Sequence, residues 1–300
     1  MNKDYEVIII GGSYAGLAAA MALGRALRNV LIIDSGRPCN KQTPHSHNFL
    51  TQDGETPHEI SAKAKEQVLK YPTITFLNAK ATQGIKTDVG FEIGTDTNET
   101  FTGKKLLFAA GVKDIMPNIK GFAECWGISV IHCPYCHGYE VKGIKTAIVA
   151  NGDAAYHYCV LLSQWTSQLT VFTNGKSTLT QEQLEKITAH NIEVIETEID
   201  FFNQTAGKLE SIVLRDGSVH NYTVIYSRAP FIQHSSIAQD LGCAIDENGL
   251  IVIDNMQKTD VPGLFAAGDC STMMRSVAIA VAAGMKSGAM INHELSAESF

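Results

Sequence analysis

The chain has 300 residues, of which 45 % are hydrophobic and 18 % charged, and this size and composition suit two domains with buried cores and exclude a disordered chain. A formal net charge of −7 with no lysine- or arginine-rich run argues against nucleic acid as a partner. No apolar run reaches about 18 residues and no signal-peptide pattern is present, so we expect a cytoplasmic protein that does not enter a membrane.

The first predicted elements form a βαβ unit. A strand at Tyr5–Ile10 leads into a glycine-rich turn at 11–16, a helix at Leu17–Leu27 follows, and a second strand at Asn29–Ile33 ends at Asp34. A strand, a glycine turn and a helix in this order are typical of dinucleotide-binding domains, and an acid after the second strand can bind a ribose hydroxyl.

The turn itself matches the template G-x-G-x-x-G at two of its three glycines. Gly11 and Gly16 are present, and Ser13 replaces the middle glycine. Glycines let the backbone approach a pyrophosphate at the positive end of the helix, and serine is small enough to keep that approach open. The alternative is a glycine turn with a structural role only.

A long polar loop is predicted at residues 37–58, and loops of this length are often functional. It contains His45 and His47, which either line a cofactor or are surface residues. A helix at Ser61–Lys70, several short strands and an apolar strand at Lys105–Ala110 follow.

A strand at Ile128–His132 runs into Cys133 and Cys136, two cysteines at the spacing of a redox pair. Pro134 suits the first position of a helix, whose dipole stabilises thiolates at its start. His137 follows directly and either exchanges a proton with a thiol or is a structural histidine. A zinc site would need a second ligand pair, which the sequence lacks, so we predict no metal; a thioredoxin-like site and a chance pair are further alternatives.

The other five cysteines show no telling spacing, and we expect buried or semi-buried thiols. They are Cys39, Cys125, Cys159, Cys243 and Cys270.

A second βαβ pattern begins near residue 146. A strand at Thr146–Ala150, a turn at 151–153, a helix at Ala154–Trp165 and a strand at Leu169–Phe172 repeat the order of the first unit. The later predicted elements are a helix at Gln181–Ala189, a strand at Ile192–Ile199, a hairpin at Leu209–His220, strands at Leu250–Ile253 and Gly263–Ala266, and a helix at Ser276–Leu295.

The tail is too short to fold alone, so we predict a discontinuous arrangement with an α/β fold. Residues 1–114 and 247–300 form a first Rossmann-like domain, and residues 115–246 form a second that is inserted into it and carries the cysteine pair. The strand before Gly268 and Asp269 places a carboxylate where it can accept hydrogen bonds from flavin ribityl hydroxyls.

The order of glycine turn, Cys-x-x-Cys, second turn and Phe-Ala-Ala-Gly-Asp resembles the low-molecular-weight thioredoxin reductases over nearly the whole chain. The resemblance implies FAD in the discontinuous domain, NADPH in the insert and a homodimer. It implies that Cys136 faces the flavin and that Cys133 exchanges with the external substrate. The FAD contacts implied or placed next to these motifs are Gly11, Gly12, Ser13, Ala15, Gly16, Asp34, Ser35, Asn48, Gly111, Gly268, Asp269, Ser276 and Val277.

Three departures from that family argue against NADPH as the cofactor, although NAD(P)H stays possible. His137 replaces the usual aspartate, Ala150 replaces the first glycine of the second turn, and the strand ending at Phe172 lacks the His-Arg-Arg run that holds a 2′-phosphate. The stretch 133–140 (Cys-Pro-Tyr-Cys-His-Gly-Tyr-Glu) resembles the dithiol oxidases of gliotoxin and holomycin, a branch that oxidises dithiols with molecular oxygen.

The leading hypothesis is therefore a thioredoxin reductase-like FAD enzyme that exchanges electrons with a thioredoxin-like protein or a small-molecule dithiol or disulfide. One alternative is a dithiol oxidase that uses no NAD(P)H. Another is a non-catalytic flavin-binding redox sensor, which the altered second turn suggests.

Overall fold

The structure, a computed structural model, describes residues 3–300 and divides into two compact units. The first unit contains the chain up to Lys41, Phe49–Asp114 and Phe231–Phe300; the second contains Gln42–Asn48 and Ile115–Pro230. The chain thus returns to the first unit at Phe231 and not at residue 247 as predicted, and a short segment of the predicted long loop belongs to the second unit.

The elements are as follows. The strands are β1 (Asp4–Ile10), β2 (Val30–Asp34), β3 (Ile74–Asn78), β4 (Ala81–Thr87), β5 (Gly90–Thr95), β6 (Thr100–Phe108), β7 (Val112–Asp114), β8 (Val130–Ile131), β9 (Thr146–Val149), β10 (Leu169–Phe172), β11 (Glu193–Ile195), β12 (Ile199–Thr205), β13 (Lys208–Leu214), β14 (Val219–Asn221), β15 (Val224–Ser227), β16 (Phe231–Gln233) and β17 (Leu264–Ala266). The helices are α1 (Tyr14–Arg25), α2 (Pro57–Val68), α3 (Phe122–Cys125), α4 (Pro134–His137), α5 (Gly152–Leu162), α6 (Gln181–Ala189), α7 (Ile237–Asp240) and α8 (Val277–Ser299).

The main sheet of the first unit has the strand order β3-β2-β1-β6-β5-β4, and β17 also pairs with β6. Strands β1, β2, β3, β6 and β17 run parallel, and β4 and β5 form an antiparallel extension. The apolar runs of β1 and β2 are buried because parallel strands are covered on both faces. The C-terminal segment therefore completes the first sheet, as the sequence predicted.

The return at Phe231 has a clear structural reason. Strand β16 pairs with β7 in an antiparallel ribbon, so the chain joins the first unit at Phe231. Helix α7 then contacts β4, and Ile237 and Ala238 are buried in a core that includes Ile8 and Leu106. Residues 231–246 bury apolar surface in the first unit, which is what sets the boundary.

The second unit contains a parallel sheet of order β11-β10-β9-β15-β8 and an antiparallel sheet of order β12-β13-β14. Strand β9 pairs with β10 and β15, and helix α5 follows β9 as the crossover of a second βαβ unit. Its cores, one around Phe202 and Ile225 and one around Tyr158 and Val171, contain second-unit residues only. The predicted fold class, two Rossmann-like α/β units in one chain, is confirmed.

Several predicted boundaries are corrected. The strand predicted at Leu250–Ile253 is an isolated bridge between Ile245 and Ile251, and the strand predicted at Ile192–Ile199 is divided between β11 and β12. Helix α2 begins at Pro57 because Thr56 and Glu59 form a capping box, which ends the predicted loop earlier. Among residues 3–300 no helix is long and apolar enough to cross a membrane.

Candidate active site

The glycine turn after β1 is a close-packed cradle. Gly11 has φ +109°, and a Cβ there would lie 2.2 Å from the carbonyl oxygen of Ala109. A Cβ on Gly16 would lie 1.8 Å from the carbonyl oxygen of Gly11. Only glycine fits at either position, which is the packing that the dinucleotide template requires.

Asp34 holds this turn from the neighbouring strand. Its carboxylate accepts hydrogen bonds from the backbone N–H groups of Gly12 at 3.0 Å and of Gly36 at 3.1 Å. The predicted acid at the end of β2 is thus fixed beside the turn, and the adjacent Ser35 lies in the same stretch.

Helix α1 begins at this turn without a side-chain cap. The N-cap residue Ser13 makes no capping hydrogen bond among the described residues, whereas Thr56, Asn151, Thr180 and Ser276 cap α2, α5, α6 and α8. The first N–H groups of α1 therefore lack the partner that a cap supplies elsewhere, and a phosphate is the ligand suited to such a helix start.

A cavity of about 650 Å³ opens at this turn, a volume in the range of cofactor sites. Five predicted residues line it, namely Gly11, Gly12, Ser13, Asp34 and Ser35. Further lining residues that the sequence did not single out include Tyr14, Asn40, Lys41, His58, Lys65, Phe76, Lys80, His234 and Ser235. The glycine cradle, the uncapped helix, the carboxylate and the cavity together fit the nucleotide part of FAD.

The segment after β17 lies against the start of α1. A Cβ on Gly268 would approach the Cβ of Ala15 to 3.0 Å, so these two predicted residues bring the two turns together. The carboxylate of Asp269 lies 3.7 Å from the sulfur of Cys39 and 3.4 Å from Nε of Arg275. Burial raises the pKa of Asp269, while Arg275 acts in the opposite direction.

Arg275 and Asp114 form an ion pair that the sequence analysis missed. The guanidinium donates to both carboxylate oxygens, at 2.7 and 3.2 Å, and both side chains are mostly buried. This pair fixes the segment between β17 and α8 to the end of β7. Cys39, predicted as a buried or semi-buried thiol, is exposed, and the other four free cysteines are buried.

The remaining predicted cofactor residues differ in their surroundings. Ser276 caps α8 by accepting a hydrogen bond from the N–H of Ile279, and Val277 is the first residue of that helix. Gly111 has φ +68° and its carbonyl accepts from His234. Asn48 has φ +60° and belongs to the second unit.

Cys133 and Cys136 form a disulfide. Cys133 is the N-cap of α4, and its sulfur accepts a hydrogen bond from the N–H of Cys136 at 3.1 Å. Pro134 occupies the predicted first helical position, but α4 ends at His137 after a single turn. A large helix dipole is therefore not available here, and the local N–H of Cys136 is the group that stabilises a thiolate on Cys133.

A cluster of titratable side chains surrounds His137. The rings of His47 and His137 meet edge-on with centroids 6.3 Å apart, and Nδ1 of His47 lies 3.5 Å from the Glu140 carboxylate. The ring of His45 lies against that of His47. Burial lowers the pKa of His137; His47 lowers it further and Glu140 raises it. His137 is thus held in its neutral form near neutral pH, as a proton acceptor must be.

The second turn of the chain, at the start of α5, is held by hydrogen bonds of the Asn151 side chain. The Oδ1 atom of Asn151 accepts hydrogen bonds from the N–H groups of Gly152 and Thr178, each at 2.8 Å. The Nδ2 atom of Asn151 donates to the carbonyl of Lys176, and Asp153 adds a carboxylate to the first turn of α5. The N–H group of Gly152 at the start of α5 is therefore already bonded to a side chain, and Asp153 places a carboxylate next to it.

Comparison with known proteins agrees with this geometry. Residues 5–284 match the family described as pyridine nucleotide-disulphide oxidoreductase. Thioredoxin reductase tcpT of Claviceps purpurea is 32 % identical over 98 % of this chain and 95 % of its own length, and thioredoxin reductase sirT of Leptosphaeria maculans is 29 % identical over 97 % and 94 %. The crystal structure of an oxidoreductase from Agrobacterium tumefaciens has 38 % identity and a TM-score of 0.91, covering 97 % of this chain and 98 % of that one.

The chain belongs to the pyridine nucleotide-disulphide oxidoreductase family. It is an FAD-dependent oxidoreductase of the thioredoxin reductase type, as the order of motifs predicted. The described residues contain no group of three or more His, Cys, Asp or Glu side chains that could hold a metal ion.

Proposed function

We propose that this protein exchanges electrons with an external dithiol or disulfide through Cys133 and Cys136. The observation that carries the proposal is the disulfide between these residues, held at the start of α4 beside the neutral His137. A disulfide with an adjacent proton acceptor is suited to thiol–disulfide exchange.

In the proposed exchange, Cys133 is the sulfur that the substrate attacks, as the resemblance to thioredoxin reductases implies. A substrate thiol gives its proton to His137, and the resulting thiolate attacks Cys133, which breaks the disulfide and releases Cys136 as a thiolate. His137 passes its proton to the Cys136 thiolate and then accepts the proton of the second substrate thiol, whose thiolate attacks the substrate sulfur of the mixed disulfide and releases Cys133 as a thiolate. The substrate has then lost two electrons and two protons, and the pair has gained two electrons.

The first unit supplies the site for the cofactor. Residues of the glycine cradle and Asp34 would hold the nucleotide part of FAD, and Asp269 and the start of α8 would hold the remainder. Bound FAD supplies a two-electron acceptor or donor for the cysteine pair.

Trapping the mixed disulfide tests the roles of the two cysteines. Cys136→Ser leaves Cys133 able to attack a substrate disulfide but unable to be released from it, so a stable adduct on Cys133 is expected by mass spectrometry after acid quenching. Cys133→Ser is the matched variant, and it is expected to form little adduct. An adduct that forms equally in both variants would show that Cys133 is not the exchanging sulfur.

We further propose that the reaction proceeds without NAD(P)H, as oxidation of a dithiol with molecular oxygen as the final acceptor. Support comes from the second turn, where Asn151 and Thr178 bond to each other and Asp153 opposes a phosphate. The following residues 171–178 contain one cation, Lys176, and no arginine. A dianionic 2′-phosphate has no bidentate partner in that stretch.

Anaerobic mixing of the FAD-loaded protein with NADH or NADPH distinguishes oxidation of a dithiol from NAD(P)H-driven reduction of a disulfide. If the protein oxidises dithiols without NAD(P)H, the flavin absorbance at about 450 nm stays unchanged for minutes after either nucleotide is added. A dithiol, in contrast, lowers this absorbance because it reduces the flavin. Rapid bleaching by NADPH would instead support a reductase that acts on a thioredoxin-like protein.

A further inference from the structure

We propose that His47 and Glu140 form a positioning pair that sets the pH at which His137 accepts a proton from the substrate thiol. This inference rests on the proposed thiol–disulfide exchange and adds two residues to it, neither of which the sequence motifs connected with His137. It is carried by the geometry of the second unit, in which all three residues lie.

The segment that carries His47 is anchored independently of the cysteine pair. The side chain of Gln42 donates hydrogen bonds to the carbonyl groups of Trp126 and of Ala123, the latter at 3.4 Å. Gly127 packs against Thr43 so closely that a Cβ on the glycine would lie 3.0 Å from the threonine hydroxyl, and Ser46 is buried. Residues 42–48 are thus a fixed strap of the second unit, and His47 is held at α4 by it.

The two partners of the pair act on His137 in opposite directions. Glu140 is three positions after His137, and its carboxylate lies 3.5 Å from Nδ1 of His47, a distance at which a protonated His47 forms an ion pair. The His47 ring meets the His137 ring edge-on. A positive charge on His47 opposes protonation of His137, and the Glu140 carboxylate favours it.

Two further titratable groups lie near this pair: His45, whose ring centroid lies 6.4 Å from that of His47, and Tyr226, which lies within electrostatic range of Glu140. The side chain of His47 is 19 % exposed and that of Glu140 is 38 % exposed, so these charges act across a partly desolvated space and are screened in part by solvent. The strap therefore places the charge of His47 next to His137, and His47 acts on the reaction through His137.

The first experiment follows the His137 ring by NMR during a pH titration of the oxidised protein, with no substrate present. Glu140→Gln is expected to lower the midpoint of the His137 resonance, and His47→Gln is expected to raise it. The double variant is expected to leave the midpoint below the ordinary value of 6.5, because burial, the largest cause, is unchanged. Glu140→Asp is expected to restore the midpoint towards wild type.

His190→Gln is the matched control, because His190 is an exposed histidine of the same unit at the end of α6. It is expected to leave the His137 midpoint unchanged. Midpoints that move in the same direction in Glu140→Gln and His47→Gln, or that do not move in either, would overturn the proposed pair.

The second experiment measures the rate at which a dithiol opens the Cys133–Cys136 disulfide, by alkylation of the released thiols, between about pH 5 and pH 8. Neutral His137 is the active form, so the rate rises as pH increases through its midpoint. The rising limb is expected at lower pH in Glu140→Gln and at higher pH in His47→Gln.

The two proposals fail in different ways. A wild-type disulfide that no dithiol opens would defeat the proposed function and this inference with it. A disulfide that opens normally, with the same rate–pH profile in both variants, would overturn the positioning role alone and leave the exchange function in place.

Discussion

At the residue scale, the clearest result is that the turn predicted to bind the cofactor has no room for a Cβ atom at two of its glycines. Gly11 and Gly16 were predicted from the template, and the structure shows that a methyl group at either position meets a backbone oxygen. Asp34 was predicted as a ribose ligand, and it also fixes the turn through Gly12 and Gly36. These residues could be identified from sequence because the template encodes a local backbone geometry.

Other residues of the site could not be predicted in the same way. Lys65, Phe76 and His234 line the cavity from three separate parts of the chain, and no local pattern distinguishes them from surface or core residues. Arg275 and Asp114 are joined by an ion pair across a long stretch of sequence. Long-range placement depends on the complete sheet, which a single motif does not encode.

Gly16→Ala is expected to lower FAD affinity by about 5-fold to 150-fold, because overpacking the turn costs about 1–3 kcal/mol. The added Cβ would lie 1.8 Å from the carbonyl of Gly11 and would displace the cradle. FAD binding is measured by fluorescence titration. Gly217→Ala is the control, since Gly217 also has a positive φ but has open space around it, so strain without loss of FAD binding is expected.

The lowered pKa of His137 predicts a pH dependence of stability. The unfolded chain binds a proton at this site more readily than the folded one, so folding stability decreases as pH falls below the ordinary histidine value of 6.5. His137→Gln is expected to weaken this decrease in urea unfolding series at pH 5 to 7.5, a range of about two and a half units chosen around histidine titration. An unchanged pH dependence would contradict the assigned shift.

At the element scale, helix α8 packs closely against helix α1 at positions occupied by small residues. A Cβ on Gly284 would lie 2.0 Å from the carbonyl oxygen of Ala15, and one on Gly288 would lie 2.6 Å from that of Ala19. The two backbones therefore approach closely, and this brings the start of α8 to the cofactor turn. The sequence predicted the helix but not its partner, because helical periodicity does not state what the helix packs against.

Gly284→Ala is expected to destabilise the protein by about 1–2 kcal/mol, although alanine is about 1 kcal/mol better than glycine in a helix. This change in stability is opposite in sign to the change expected from helix propensity, because the close approach to Ala15 is lost. Lys286→Ala, on the exposed side of the same helix, is expected to be nearly neutral. Equilibrium unfolding in guanidinium chloride measures both, and a stabilised Gly284→Ala would contradict the packing.

The short elements illustrate the limits of sequence patterns. Pro134 and the cysteine spacing predicted the start of α4 correctly, but nothing in the pattern showed that the helix would end after one turn at His137. Similarly, residues 42–48 read as part of one polar loop, while their contacts place them in the second unit. Both features depend on contacts with residues far along the chain.

At the scale of the whole molecule, each unit has its own apolar cores. The cores of the first unit contain residues such as Ile9 and Phe108, and those of the second contain Phe202 and Tyr226. The chain order of two βαβ units and a returning tail was sufficient to predict this division in outline. The boundary near Phe231 was missed because β16 is only three residues long.

Separate cores predict that FAD stabilises the two units unequally. Free FAD at about 100 times its dissociation constant adds about 2.7 kcal/mol to the stability of the state that binds it. We expect scanning calorimetry to show that FAD raises the transition of the first unit more than that of the second. Gly16→Ala is expected to reduce the increase at the same FAD concentration, and equal shifts of a single transition would show that the units unfold as one.

The most direct test of the account is anaerobic stopped-flow mixing of the FAD-loaded protein with a dithiol, monitored by flavin absorbance. Wild type is predicted to bleach, and the double variant Cys133→Ser/Cys136→Ser is predicted to keep its FAD and bleach on the order of a hundredfold more slowly. Equal bleaching rates in the two proteins would contradict the claim that electrons reach the cofactor through this pair of sulfurs.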